Sequence, residues 1–593
     1  MKEEKRKKSK EKKPKETRKI LGRLLSYLSK DKNLLLLVFF LIIVSTICNV
    51  AGSYLLRPII NNAIIPGDIR LLMIMLAVLG GVYLLGVSST WIQYRIMNKV
   101  GQRTVAKLRD DLFSKMEYLP LRFFDTHQHG ELMSRFTNDI DRISEALTET
   151  LSDILANLLS LAGILFMMIY ISPVLTLTTL IIIPLMLFMA KIVIKRSKVY
   201  FKGQQEALGS TNGYIEEIIS GQKVVKVFCH EEIAEKEFDE FNENLRNKAE
   251  KAQLFSGMMM PLMQNMNTLS FVLVSIAGGL LAILRGFDLG GLAAFLQYSR
   301  QFGRPINELS AQYNNLQAAI AGAERIFQLM DEVSELVNQT QDPVRLNGPV
   351  KGEVAFKNVD FSYVPGTPVL KNISLHAVPG KKIALVGSTG AGKTTLFNIL
   401  PRFYEIQGGE IDIDGIGQPR YSFPNLRRSM ALVLQDTHLF TGTIMENIRY
   451  GRLEATDEEV IAAAKLATAH TFISRLPQGY GTELKNDGSN LSQGERQLLN
   501  IARAAISDPP ILLLDEATSD VDSRTEKLIQ RGMDKLMEGR TSFIIAHRLS
   551  TVLDADEILV LEHGSIIERG THQELISRQG RYYHLYTGKE VLN

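Results

Sequence analysis

The sequence predicts a protein of two unlike domains, an all-helical membrane domain followed by an α/β domain. Long uncharged apolar runs are concentrated before about residue 315. From about residue 351 the apolar runs shorten, and strand-like segments alternate with helix-like ones, as in α/β folds. At 593 residues the chain is long enough to form more than one hydrophobic core. We therefore expect two domains that are joined by the polar linker 331–350.

The N-terminal segment is strongly basic. Residues 1–16 read MKEEKRKKSKEKKPKE, and we expect a disordered tail that either approaches anionic lipid or only aids solubility. Residues 17–30 place Ile20, Leu24 and Leu28 on one helical face, which is typical of a helix in the membrane interface. Because basic residues precede the first apolar run, the N-terminus is predicted to be cytoplasmic.

Six apolar runs predict membrane-spanning helices, because about 20 residues cross a hydrocarbon layer of roughly 30 Å. The last run also contains Arg300, Arg304 and Glu308, so its inner end is expected to leave the lipid. A turn at Ser172-Pro173 is expected to divide the longest run into two helices. The runs are 33–56, 71–94, the two halves of 154–190, 252–284 and 289–312.

Two long charged connections, 95–150 and 197–251, are patterned as helices that continue beyond the bilayer. An extension of twenty residues would reach about 30 Å, at a rise of about 1.5 Å per residue. Charge places these connections in the cytoplasm and the short ones outside. The predicted first domain, 17–330, thus makes the chain a multi-pass protein of the cell's inner or plasma membrane. The net charge of +4 gives no sign of a nucleic-acid partner.

A phosphate-binding motif lies in the second domain. Residues 387–395 read GSTGAGKTT, and the apolar run KIALV before them predicts a buried strand. Loop N–H groups and the positive end of the following helix would bind the phosphates of a nucleotide. Lys393 would neutralise the β and γ phosphates, and Thr394 would ligate Mg²⁺. The predicted nucleotide-binding residues are Gly387, Ser388, Thr389, Gly390, Ala391, Gly392, Lys393, Thr394 and Thr395.

Two acidic residues end a predicted buried strand, ILLLDE, at 511–516. Taken alone, such a pair could form a solvated turn. Open parallel sheets bind ligands at the carboxyl ends of their strands, so the two acids are expected beside the phosphate loop. We expect Asp515 to anchor Mg²⁺ and Glu516 to hold the attacking water and accept its proton. The predicted chemistry is hydrolysis of a nucleoside triphosphate with Mg²⁺ as cofactor.

With these motifs in place, residues 17–590 resemble an ATP-binding cassette (ABC) exporter half-transporter, in which six helices precede one nucleotide-binding domain, here 351–593. LSQGERQ at 491–497 resembles the family signature. The resemblance implies that the signature contacts the γ-phosphate of an ATP bound to the opposite subunit, and that 123–143 and 212–228 carry the coupling helices. The signature residues concerned are Ser492, Gln493 and Gly494.

Four further residues receive roles from the same resemblance. LVLQD resembles the Q-loop, which would place Gln435 between Mg²⁺, water and the membrane domain. In the aromatic loop FSY, Tyr363 would stack on adenine. The D-loop-like SDVD would send Asp522 across the dimer interface, and the switch-like IIAHRL would place His547 on the γ-phosphate.

Two residues depart from the family pattern. The signature usually reads L-S-G-G-Q, whereas Glu495 ends it here, and Asn486 stands where such exporters often carry Glu. The Glu495 carboxylate near bound phosphate is unfavourable unless it is turned away or paired. Asymmetric pairs in this family divide such departures between two chains. A heterodimer with a second half-transporter is therefore predicted, and a homodimer that tolerates the substitutions is the alternative.

The resemblance implies ATP-driven export across the cytoplasmic membrane by alternating access. Asp153 and the charges of the last run lie near helix ends, so we expect a hydrophobic or amphipathic cargo such as a drug or lipid. A homodimeric lipid or peptide exporter, and an ATP-gated channel or sensor on the same scaffold, are the alternatives. The apolar runs argue against a soluble cassette ATPase acting on nucleic acid.

Overall fold

The computed structural model describes residues 18–340, 344, 348–435, 437–515, 522–546 and 552–587. Two compact units divide these residues between them. The first contains the described residues of Met1–Met116 and Gly130–Asp331, and the second those of Glu117–His129 and Glu332–Asn593. The predicted tail 1–16 lies outside the described residues.

The first unit is built from helices. Short π-helical turns at Ile59–Ile64, Arg135–Asp139 and Ala146–Thr150 interrupt or end some of them. The helices are α1 (18–28), α2 (Lys32–Pro58), α3 (Ile69–Glu117), α5 (His129–Ser134), α6 (Ile140–Glu145), α7 (Leu151–Ile171), α8 (Pro173–Ser220), α9 (Gln222–Phe228), α10 (Glu231–Gly257), α11 (Met259–Arg285) and α12 (Leu289–Asp331), while α4 (Leu121–Thr126) belongs to the second unit.

Five helical stretches of the described chain are long and apolar enough to cross a membrane. They are Arg18–Ile64, Ile69–Glu117, His129–Ile171, Pro173–Ser220 and Glu231–Arg285. The sixth predicted span forms a helix, α12, but this helix does not meet the same measure because polar residues dilute its apolar ones. Five of the six predicted spans thus meet this measure of length and composition, and the sixth is a helix of more polar composition.

Local sequence signals account for the helix boundaries. The predicted turn at Ser172-Pro173 is confirmed: the Ser172 hydroxyl accepts a hydrogen bond from the Leu175 N–H at 3.4 Å, and Pro173 begins α8. The predicted fifth span, 252–284, lies in the helical stretch Glu231–Arg285, in which the single turn residue Met258 separates α10 from α11.

Apolar surface dominates the outside of the long helices. Leu84, Ile181 and Phe188 are each more than half exposed, as expected of side chains that contact lipid. Inside the unit, α7, α8, α11 and α12 pack around Phe295 and Tyr298, both fully buried. The buried Tyr298 hydroxyl donates to the Val50 carbonyl at 2.6 Å, so this polar group does not remain unsatisfied in the core.

The second unit is an α/β domain with a parallel central sheet. Its six strands run in the order β12-β11-β3-β10-β9-β6, and only β12 is antiparallel to its neighbour. A four-stranded antiparallel sheet has the order β2-β1-β4-β5, and β7 pairs with β8. The strands are β1 (Val354–Phe361), β2 (Leu370–Ala377), β3 (Lys382–Val386), β4 (Gly408–Ile413), β5 (Ile416–Gly417), β6 (Met430–Val433), β7 (Gly442–Thr443), β8 (Glu483–Leu484), β9 (Ile511–Asp515), β10 (Thr541–Ile545), β11 (Glu557–Glu562) and β12 (Ser565–Gly570).

Helices cover the central sheet. Strands β9 and β10 are buried at every position, and β9 accordingly reads as an apolar run up to Asp515. Strand β10 begins with the buried Thr541 and Ser542 before its apolar residues. The predictions of strands at KIALV and ILLLD are confirmed. The helices are α13 (Lys393–Ile399), α14 (Phe423–Arg428), α15 (Ile444–Arg449), α16 (Asp457–Leu466), α17 (His470–Ile473), α18 (Gln493–Ser507), α19 (Ser523–Met537), α20 (His572–Arg578) and α21 (Arg581–Tyr586).

Candidate nucleotide-binding site

The predicted site residues gather at the carboxyl edge of the parallel sheet. The phosphate loop follows β3, Gln435 follows β6 and Asp515 ends β9. Register pairs Leu385 with Ile545 and Ile545 with Asp515, so β3, β10 and β9 end at one level. Ligands bind at this edge in open parallel sheets.

Two glycines of the loop 387–395 have no room for a side chain. A Cβ at Gly387 would lie 2.3 Å from the Leu561 carbonyl oxygen. At Gly392, φ is +104° and a Cβ would lie 2.7 Å from Leu370 Cδ2. The loop therefore keeps the tight turn that directs its N–H groups inward, and α13 begins at Lys393, directly after Gly392.

Lys393 is the first residue of α13, and its side chain returns to the start of this loop. Its ammonium donates to the carbonyl oxygens of Gly387 at 2.5 Å and Ser388 at 3.0 Å, and the residue is buried. Burial lowers the pKa of Lys393, and the negative charge of Asp515 opposes that shift. The ammonium and the carboxylate are thus close enough to interact, as a site for a phosphate and a cation requires.

Only a few side chains of the described chain are placed to bind Mg²⁺. No group of three or more His, Cys, Asp and Glu side chains in the described chain could hold a metal ion by itself. Mg²⁺ on a nucleotide needs only one or two protein oxygens beside the phosphates and water. The exposed Thr394 at the start of α13 and Asp515 at the end of β9 suit that arrangement.

Tyr363 lies beside the phosphate loop and extends a chain of aromatic contacts. Its hydroxyl accepts a hydrogen bond from Asn398 at 2.9 Å and donates to Thr395 at 3.4 Å. The ring packs edge-on against Tyr404, with the ring centres 4.9 Å apart. The Tyr404 hydroxyl donates to the carboxylate of Asp125 on α4, within the segment expected to contain a coupling helix.

Two partly buried hydrogen bonds tie the Q-loop to α18, the helix that begins within the signature. Gln435 is exposed, whereas Gln497 on α18 is buried. The Gln497 side chain accepts from the Thr437 hydroxyl at 2.7 Å and donates to the Leu434 carbonyl at 3.4 Å. These two bonds therefore link Leu434 and Thr437, which flank Gln435, to α18. Sequence reasoning missed this role of Gln497, although the residue ends the signature-like segment.

The signature carries a capping box. Ser492 is the N-cap of α18, and its backbone N–H and hydroxyl each donate to Glu495 Oε2 at 2.9 Å. The Glu495 N–H donates back to the Ser492 hydroxyl at 3.3 Å. The carboxylate is therefore paired, but its partners are groups of Ser492 that would meet a γ-phosphate. Gln493 and the buried Gly494 form the first turn of the helix.

Of the remaining predicted residues, Asp522 lies within the described part of the chain, whereas Glu516 and His547 do not. Asp522 is the N-cap of α19 and accepts from the N–H groups of Arg524 and Thr525, both at 3.0 Å. Hydrogen bonds from Thr525 hold the pKa of Asp522 below its usual range. Glu516 and His547 lie outside the described residues; the strands that precede them, β9 and β10, end at the site's edge.

Comparisons with known proteins agree with this architecture. A family profile described as the ABC transporter transmembrane region matches residues 35–306, and one described as ABC transporter matches 370–519. The chain is 44% identical over 575 residues to the ABC transporter ATP-binding protein YfiC of Bacillus subtilis, covering 97% of this chain and 95% of that protein. The chain belongs to the ABC transporter family.

Two further relatives of this ABC transporter have named cargoes. A fatty acid ABC transporter ATP-binding/permease protein of Mycobacterium bovis is 45% identical over 510 residues, covering 86% of this chain and 80% of that protein. An ATP-dependent lipid A-core flippase of Syntrophus aciditrophicus is 35% identical over 535 residues, covering 90% and 88%. The ABC transporter is therefore an exporter-type half-transporter that binds ATP and couples its hydrolysis to transport, and it is a multi-pass membrane protein.

Proposed function

We propose that this half-transporter exports hydrophobic or amphipathic compounds, drugs or lipids, from the cytoplasmic side of the membrane. The main support is that one chain contains long apolar helices and a complete phosphate loop with Lys393 and Asp515 at the carboxyl edge of its sheet. The relatives named for fatty acid transport and lipid A-core flipping also handle amphiphiles. Basic residues before the first apolar run favour a cytoplasmic nucleotide-binding domain.

The proposed hydrolytic site binds ATP and Mg²⁺. Lys393 neutralises the β and γ phosphates, Thr394 and Asp515 hold the metal ion with help from Gln435, and Tyr363 stacks on adenine. Mg²⁺ supplies positive charge where negative charge develops on the transferred phosphoryl group. The proposed general base is Glu516, with His547 contacting the γ-phosphate. Each of these roles is a proposal that substitution tests.

ATP drives the proposed cycle because it stabilises only the state in which the two nucleotide-binding domains are closed on each other. Two nucleotide-binding domains close on two ATP molecules, and each signature, with Ser492, Gln493 and Gly494, completes the site of the opposite chain. Asp522 lies at the interface between the domains. Contacts made only in the closed state shift the equilibrium toward it, and hydrolysis reverses that shift. The membrane domain, including α12 as a sixth crossing helix, then alternates between inward-facing and outward-facing forms.

The partner is proposed to be a second, different half-transporter. The support is Glu495, whose carboxylate is bonded to the Ser492 groups that phosphate would need. Such a signature suits the weaker site of an asymmetric pair. Asn486 adds less support, because its φ of +45° is a conformation that Asn tolerates better than Glu. The alternative partner is a second copy of the same chain.

Reconstitution of the chain tests both proposals. The chain is expressed alone and together with a candidate partner, and each preparation is placed in sealed proteoliposomes. ATP-dependent movement of an amphiphile against its gradient is expected, and it must vanish in Lys393→Ala. Movement only down the gradient would indicate an ATP-gated channel instead. A stable homodimer with full transport-coupled ATPase activity would overturn the heterodimer.

A further inference from the structure

A polar cavity lies inside the helical unit, between α2, α3, α7 and α12. Its volume is about 580 Å³, and most of the side chains that line it carry hydrogen-bonding groups. Among them are Asn49, Gln93, Asn157 and Gln301. Polar side chains in a membrane helix are unfavourable unless they face the interior or a ligand pathway. This concentration on four helices therefore marks a site for a polar group.

The cavity carries one carboxylate without a counter-charge. Asp153 accepts from the Tyr94 hydroxyl at 2.8 Å and from the Gln312 amide at 3.1 Å, both neutral donors. No Lys, Arg or His among the described residues forms an ion pair with it. The other two charges on the lining neutralise each other, since Arg304 donates to Glu308 at 2.7 Å. The lining thus has a net charge of −1.

An unsatisfied acceptor lies beside this carboxylate. The buried Oε1 atom of Gln312 has no hydrogen-bond partner in the described structure, although its amide nitrogen binds Asp153. A ligand that donates several hydrogen bonds and carries positive charge would pair with Asp153, and rotation of the Gln312 amide would bring its unpaired oxygen to the same ligand. An ammonium group has three donors and no acceptor, which fits this need better than a carboxylate or phosphate does.

An apolar groove continues from the cavity along α2 and α7. It has a volume of about 420 Å³ and shares Thr46 and Val50 with the polar cavity. Ile47, Leu159 and Gly163 also line it. A Cβ on Gly163 would lie 3.1 Å from Val50 Cγ2, so a larger side chain there would occupy the groove. Polar and apolar spaces therefore adjoin each other at Thr46 and Val50.

We propose that the cavity and the groove together form a binding site for a single-chain amphiphile with an amine-bearing head group. The head lies at Asp153 and Gln312, and the hydrocarbon tail lies in the groove past Gly163. The inference rests on the proposed export function, since it names the cargo class that this function would carry. The proposed site is expected to prefer a cationic amphiphile over a fatty acid of the same length.

Binding is tested without ATP, through the fluorescence of the chain's single tryptophan. Trp91 lies on α3, one helical turn from Tyr94. The full-length protein in phosphatidylcholine nanodiscs is titrated with dodecylamine, dodecanol and dodecanoate at neutral pH. The wild-type protein is expected to bind the amine at least about tenfold more tightly than the carboxylate, because the lining charge attracts one and repels the other.

Two variants distinguish binding of the amine head group from binding of the hydrocarbon tail. Asp153→Asn should weaken amine binding about tenfold and leave dodecanol binding unchanged, because only a charge is removed. Gly163→Leu should weaken the amine and the alcohol alike. Asp68→Asn is the matched control, since Asp68 is an exposed carboxylate outside the cavity that accepts from the Leu71 N–H. It should change neither titration.

Equal affinity of the wild-type protein for amine and carboxylate would overturn the inference. So would an Asp153→Asn variant that binds the amine as the wild type does, whether or not Gly163→Leu folds. Failure of the export proposal has a different signature. In that case the titrations keep their charge preference, while proteoliposomes show no ATP-dependent movement of the amine.

Discussion

Replacement of Glu495 by Gln tests the proposed role of the signature. Gln at this position can still accept a hydrogen bond from Ser492, so the capping box and the stability of α18 should be retained. What disappears is a full negative charge. In the wild-type chain the single hydroxyl proton of Ser492 is donated to Glu495 Oε2 at 2.9 Å. A γ-phosphate that took this proton would have to displace the carboxylate or approach it closely.

The size of the effect follows from that distance. A phosphate oxygen accepting from the Ser492 hydroxyl lies about 2.7 Å from it, so phosphate and carboxylate oxygens would be no more than about 6 Å apart. Two unit charges at that separation repel by about 0.7 kcal/mol in water and about 3 kcal/mol at an effective dielectric constant near 20. Glu495→Gln should therefore strengthen ATP-dependent closure by about 3-fold to 100-fold.

Vanadate trapping of nucleotide measures this change. The ATP concentration for half-maximal trapping in the assembled transporter should fall in Glu495→Gln. Glu574→Gln is the matched control, because Glu574 forms the same capping box with Thr571 at the start of α20. It should leave the trapping concentration and the melting temperature unchanged. If both variants behave alike, the carboxylate does not oppose phosphate binding and the reasoning is refuted.

Three further outcomes follow from the site. Lys393→Ala should weaken ATP binding at least about 100-fold, since a buried charge on the phosphates is lost; equilibrium binding of labelled ATP measures it. Glu516→Gln should bind ATP normally but slow steady-state hydrolysis severely, and wild-type turnover would exclude Glu516 as the base. Tyr404→Phe removes the hydrogen bond to Asp125, worth about 1 kcal/mol, so transport per ATP hydrolysed should fall while basal hydrolysis persists.

Much of the fold could be predicted because its signals are local. Buried parallel strands such as β9 read as continuous apolar runs, and the turn at Ser172-Pro173 carries its own capping residue and proline. The sixth predicted span has a weaker apolar signal than the other five for a physical reason. Helix α12 contains polar residues that line the cavity, so its composition differs from that of a lipid-facing helix. The turn at Met258 lies between Gly257 and Pro261, two residues that weaken a helix locally.

Most side-chain pairings in the candidate site could not be predicted from the sequence. Glu495 was expected to need a partner, but nothing in the letters L-S-Q-G-E selects Ser492 as that partner over a distant cation. Tyr404 and Asp125 are 279 positions apart, and no periodicity joins them. Which of the two carboxylates in the cavity lacks a counter-charge depends on which one Arg304 binds. These features arise from tertiary packing, which composition and spacing do not specify.

The division of the chain into two units has a mechanical consequence. Because Glu117–His129 belongs to the second unit while the residues on both sides belong to the first, the polypeptide passes between the units three times. Three peptide segments rather than one therefore connect the two units. Cleavage of the linker by a protease should leave a C-terminal fragment that stays bound through α4 and co-purifies with the N-terminal fragment.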